Sequence, residues 1–64
     1  VVIHVNSASA NKKVVSLQLP TSSLITMIER NGKYITPNGQ TDILVGDKLY
    51  VLTDNPENTL KLLE

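Results

Sequence analysis

The Asn31-Gly32 dipeptide constrains this chain more than any other feature. It sits between two apolar-rich arms, Leu24 to Arg30 (LITMIER) and Lys33 to Thr36 (KYIT). A type I′ hairpin turn needs positive φ at both central residues, and Asn-Gly meets that need with little strain. The dipeptide therefore predicts an antiparallel hairpin. Strict alternation along the first arm puts Leu24, Thr26, Ile28 and Arg30 on one face and Ile25, Met27 and Glu29 on the other. Pro37-Asn38-Gly39 ends the second arm, because Pro cannot donate to a ladder and Asn-Gly turns easily.

The rest of the chain reads as short elements around this hairpin. Val1 to Val5 (VVIHV) is β-branched and predicts a strand, and Asn6 to Asn11 (NSASAN) predicts a loop. In Lys12 to Leu19 (KKVVSLQL) the alternation of Val15, Leu17 and Leu19 favours a strand, while Val14 and Leu17 at i, i+3 admit a helix that Pro20 stops early. Thr21-Ser22-Ser23 is a turn, and Gln40 to Val45 is a connection carrying Ile43 and Leu44. Gly46-Asp47 predicts a second tight turn before a strand at Lys48 to Thr53 (KLYVLT). Asp54-Asn55-Pro56-Glu57 is a helix start, with a capping side chain, Pro in the first turn and an acid at the positive end of the dipole. Leu60, Leu62 and Leu63 supply the expected buried side of that helix.

Size and composition narrow the function. Sixty-four residues make one domain. A domain this small buries only about 60% of its unfolded surface, so disulfides, a metal or a partner subunit usually supplement its core. There is no cysteine, and a single histidine, His4, builds no metal cage. A second copy of the chain is the remaining supplement. The strands agree, since Leu24 and Ile28 oppose Ile25 and Met27, and Leu49 and Val51 oppose Tyr50 and Leu52. A sheet with one wetted face alternates more cleanly. We therefore expect a homodimer, with helices covering one sheet face.

Six Lys/Arg balance six Asp/Glu, and the only aromatics are two tyrosines. That leaves no basic stripe for nucleic acid and no stacking platform for single strands. The apolar runs are too short to span a membrane. No Gly-x-Ser-x-Gly elbow surrounds any serine, no Gly-rich phosphate loop is present, and one histidine without a placed carboxylate makes no triad. The reading is a binding module and not an enzyme. The chain opens on Val in strand-like sequence, which predicts a piece of a longer chain.

Six pieces in order carry a resemblance: Leu19-Pro20, Ile28-Glu29-Arg30, Gly32, Ile35-Thr36-Pro37, Gly39-Gln40-Thr41, and Gly46-Asp47-Lys48-Leu49-Tyr50-Val51. Together they resemble the RCK C-terminal (TrkA-C) domain of potassium/proton antiporters and cell-volume-regulation cation transporters, over nearly all of the chain from Lys12 onward. The resemblance implies an α+β fold: a small β-α-β-β-β-α domain, mostly antiparallel sheet with helices packed on one face, and a short helix around Lys12 to Leu17. Asn11 stands where the family usually has Gly, and Asn tolerates left-handed backbone.

The resemblance further implies a cytoplasmic regulatory domain, residues 1–64, attached to the membrane-embedded part of an inner-membrane transporter. Family members bind small ligands, in some cases a cyclic dinucleotide, between two copies of the domain. The expected contacts here are Ile25 and Ile35 for a base, Arg30 for a phosphate, and Thr36 and Pro37 at the hairpin edge. A nucleotide or cyclic dinucleotide is the ligand class implied; no cofactor or metal is expected. In members that bind cyclic-di-AMP an Asp precedes the strand Arg by two residues and an Asn follows later in the hairpin. Here Ile28 holds the first position, and Thr36 or Pro37 the region of the second. On residue chemistry alone, Arg30 also reads as a solvated strand-end charge pairing with Glu29, Asp47 or no partner, and His4 is either a pH sensor or a plain surface histidine. A structural dimerisation module without a ligand is the alternative function.

Overall fold

The computed structural model describes residues Val1 to Glu64. A 3₁₀ turn (Val14–Leu17) precedes strands β1 (Leu24–Arg30), β2 (Lys33–Ile35) and β3 (Lys48–Leu52) and the helix α1 (Pro56–Leu63). The sheet is antiparallel throughout, in the order β2-β1-β3. The fold is α+β, as expected. Asn31 and Gly32 have φ of 53° and 77°, and Arg30 pairs with Lys33, so the Asn-Gly turn closes the hairpin in the predicted way.

Strict alternation fails in β1. Ile25 and Ile28 are both buried, although three residues apart, while Leu24 and Met27 are exposed. The ladder explains this: Ile25 faces Val51 and Met27 faces Tyr50, leaving Thr26 as an extra residue in a β-bulge. Its hydroxyl donates to the Tyr50 carbonyl at 3.1 Å. Beyond the bulge the phase is reset, so the inner face carries Ile25, Ile28 and Arg30 and the outer face carries Leu24, Met27 and Glu29.

The N-terminal segment is less regular than its composition predicts. Only Val2 pairs, in a single antiparallel bridge to Lys48. Reciprocal backbone bonds join Val1 to Leu49, and Ile3 bonds Asp47 and Gly46. The chain then turns away, because the His4 carbonyl accepts from Ser7 N and the His4 amide donates to Ser7 Oγ. Ile3, 1% exposed, is the residue this segment delivers to the core. At Val14–Leu17 the alternation reading is overturned in favour of one helical turn. Its backbone is drawn in by Val14 N donating to the Thr41 carbonyl and Val15 N to the Gly39 carbonyl. The left-handed Asn11 (φ 63°) and Gln18 (φ 51°) bracket the region.

Ile3, Ile25, Ile28, Ile43, Leu49 and Leu63 form the core between the inner sheet face and α1. In α1 only Thr59 and Leu63 are buried; Leu60 and Leu62, expected inside, are about two-fifths exposed. With eight residues the helix offers the sheet one i, i+4 pair. Asn55 caps it by accepting from Asn58 N, with Pro56 following. At the other end the Ala8 amide reaches the Glu64 carbonyl at 2.7 Å, and Ser9 Oγ donates to the Leu63 carbonyl at 2.7 Å. The loop expected at residues 6–11 thus satisfies the terminal carbonyls of α1.

Candidate functional site

Arg30 ends β1 on the inner side of the sheet, facing the loop between β2 and β3. Its Nε donates to Asp47 Oδ1 at 2.8 Å and its Nη2 to Asp47 Oδ2 at 2.7 Å. The same Nη2 donates to the Asp42 carbonyl at 2.9 Å. Asp47 is almost wholly buried and also accepts from the Leu44 amide at 2.9 Å. Gly46, at φ 93°, supplies the left-handed residue that turns the loop just before Asp47. The fork from Arg30 holds the Asp47 carboxyl below its ordinary value, against the opposing effect of burial, and the Leu44 amide adds to the lowering. Hydrogen bonding to Asp47 raises the Arg30 guanidinium, again opposed by burial.

This fork ties the Asn31-Gly32 hairpin to the 42–47 loop. The loop is anchored a second time by Lys13, whose Nζ meets Asp42 Oδ1 at 3.0 Å, and a third time by Ile43, which is fully buried. Of the two sequence readings of Arg30, the partnership with Asp47 is therefore present. The bonds to the chain use Nε and Nη2, so Nη1 remains for a further acceptor, and the side chain keeps 26% of its exposure.

The other expected ligand contacts are not all brought together. Ile35 is half-buried against the core, Thr36 is exposed and Pro37 is half-buried. Ile25 is 5% exposed inside the core, where the bulge at Thr26 turns it, and it is unavailable to a base stacking on the surface. Ile28 is fully buried. The two surface grooves of the single chain lie elsewhere. One, of about 450 Å³, runs past Val1, His4 and Leu60; the other, of about 190 Å³, runs between Leu49, Thr59 and Leu63. Neither is lined by a hairpin residue, so a ligand on the hairpin would need a second wall.

Two polar clusters escaped the sequence reading. Ser23, Thr53 and Thr59 hydroxyls lie 2.7 to 3.1 Å apart, and Thr59 Oγ1 also donates to the Asn55 carbonyl. This trio joins the start of β1, the end of β3 and α1. Its members are up to 36 residues apart, which leaves no local signal. On the outer face Tyr50 donates to Glu29 Oε1 at 2.9 Å, which raises the phenol. The Tyr34 ring lies 6.4 Å away, and the Lys48 ammonium is 5.5 Å from the Tyr50 ring centre.

A search against curated proteins finds no match. Among solved structures, one described as "Structure of RCK domain with cda" superposes with a TM-score of 0.76 at 24% identity, covering 98% of this chain and 93% of that one. At that identity the likeness concerns the fold. The family model of the TrkA-C domain matches residues 1–62. That match spans the hairpin, the Arg30–Asp47 fork and nearly all of α1, and by it the chain belongs to the TrkA-C domain family.

Proposed function

We propose that this domain senses a small anionic ligand between two copies of itself and thereby controls a monovalent cation transporter, most specifically a cation:proton antiporter, of which it is a cytoplasmic part. TrkA-C domains are regulatory domains of potassium transport systems. No helix of the chain is long and apolar enough to cross a membrane. A ligand that binds one dimer geometry better than another shifts the populations by its differential affinity, which is all that control requires.

The observation that carries the ligand-sensing reading is the state of Arg30. Asp47 fixes the direction of its guanidinium while Nη1 carries no hydrogen bond to the chain. An oriented guanidinium loses less freedom on meeting a phosphate than a mobile one. A nucleotide or cyclic dinucleotide fits this chemistry, and the structural neighbour is itself described with a ligand, cda. The hairpin lines no groove of the single chain, which favours a cleft closed by a second copy. The same fork favours one alternative: with its charge already met by Asp47, Arg30 serves equally well in a dimerisation module that binds nothing.

A thermal-shift screen of nucleotides, cyclic dinucleotides and monovalent cations separates the two. A ligand bound only by the native state raises the melting point by an amount that grows with its concentration. A concentration-dependent rise that is lost in Thr36→Glu, which sets a negative charge at the hairpin edge, supports the sensing site. A flat screen leaves the ligand-free module as the function.

A further inference from the structure

The outer sheet face is patterned for a copy of itself. One row of side chains crosses it at the hairpin end: Tyr34 on β2 opposes Glu29 on β1, Glu29 opposes Lys48 on β3, and Lys48 opposes Val2 of the N-terminal bridge. Read across the sheet this row is apolar, acidic, basic, apolar. The next rows are Met27 with Tyr50 and Leu24 with Leu52. All the apolar members but Tyr50 are substantially exposed, from 37% at Met27 to 66% at Leu52.

Glu29 and Lys48 are register partners, yet they form no ion pair; the salt bridges of the chain are Lys13–Asp42 and Arg30–Asp47. Glu29 accepts from the Tyr50 hydroxyl and Lys48 lies over the Tyr50 ring, but neither meets an opposite charge within the chain. A second copy supplies the missing partners by symmetry. A two-fold axis running along the strands between β1 and β3 exchanges the two halves of every row. It sets Glu29 against the partner's Lys48 and Lys48 against the partner's Glu29. The same operation lays Tyr34 over the partner's Val2, Met27 over the partner's Tyr50, and Leu24 over the partner's Leu52. An axis across the strands would instead set the Glu29–Lys48 row against leucines, leaving charges buried without partners.

We infer that the homodimer forms through this outer face, about an axis along β1 and β3, with Glu29 and Lys48 as reciprocal cross-subunit pairs. The inference rests on the dimeric reading above and names its surface. It is an isologous interface, in which each patch meets its own copy.

Charge reversal tests it. Glu29→Lys and Lys48→Glu each place like charges across the interface, and each variant alone should dimerise roughly a hundredfold more weakly than the parent chain in sedimentation equilibrium. Mixed in equal amounts, the two variants should form a heterodimer, because the doubly basic row of one then meets the doubly acidic row of the other. Recovery of near-parental association in the mixture, with circular dichroism of each variant unchanged, supports the assignment. If the parent chain dimerises and the single variants do so equally well, the interface lies on another face. If the variants weaken but the mixture does not recover, the reciprocal pairing is wrong. A parent chain that stays monomeric at all concentrations overturns the dimer itself together with this surface.

Discussion

Arg30 and Asp47 meet through two parallel hydrogen bonds, 2.8 and 2.7 Å, that join the end of β1 to the turn before β3. The partners are unequal: Asp47 is 1% exposed as a side chain and Arg30 26%. The carboxylate therefore depends on the fork more than the guanidinium does. Asp47→Asn, which leaves Arg30 facing a neutral amide, should destabilise by about 3 kcal/mol. Arg30→Lys keeps the charge but loses the fork and should cost about 1–2 kcal/mol. Urea midpoints for both variants within the error of the parent would show that the pair contributes nothing.

The same pair sets an acid dependence. The folded-state value of Asp47 lies below its ordinary one, so the unfolded chain takes up the proton first. Its contribution is fully present above the ordinary carboxylate range of about 3.9 and disappears as pH falls through the lower folded value. The melting-point difference between the parent and Asp47→Asn should accordingly be constant from neutral pH to about pH 5 and narrow below about pH 4. A gap that stays constant down to about pH 2 contradicts this assignment.

Gly32, at φ 77°, has open space where a Cβ would lie, so backbone conformation alone decides the effect of adding one. Gly32→Ala should cost about 1 kcal/mol. Lys61→Ala, on the exposed side of α1, should stay within about 0.5 kcal/mol. Equal melting points for the two would show that the turn tolerates an L-residue without strain.

Ser9 is fully buried, and its hydroxyl is bonded to the carbonyl of Leu63. Ser9→Ala leaves that helix-terminal carbonyl short of a donor and should destabilise by about 1 kcal/mol. Hydrogen exchange should register the loss first in the amides of α1's last turn and not in β1. Uniform acceleration across the domain would mean that the helix does not loosen separately.

Ile28 packs at the centre of the core with no exposure. Removing one methyl in Ile28→Val should cost about 1 kcal/mol. Leu24→Ala, on the outer face, should leave the stability of the monomer at high dilution nearly unchanged. If Leu24→Ala proves the more damaging change at high dilution, the two faces of β1 have been assigned in the wrong sense.

Turn chemistry was legible from the residues because it is local. Asn31-Gly32 needs only its own φ angles to turn the chain, and Asn55-Pro56 only its own side chain and ring to start a helix. The hairpin, β3, α1 and the α+β class followed from such signals, with the order completed by the six-part resemblance. Side-chain facing in β1 was not legible. The bulge at Thr26 depends on how Ile25 and Ile28 both reach a core built from Ile3, Ile43 and Leu63, and those residues come from segments distant in sequence. For the same reason Val1–Val5 yields one bridge in place of a strand, and Leu60 and Leu62 remain outside. At the candidate site, residue type marked Arg30 as suited to a phosphate or to an acid. Only the fold, by bringing the buried Asp47 within 2.7 Å of Nη2 and turning Ile25 inward, decided which of its donors are already used and which of the expected contacts stay at the surface.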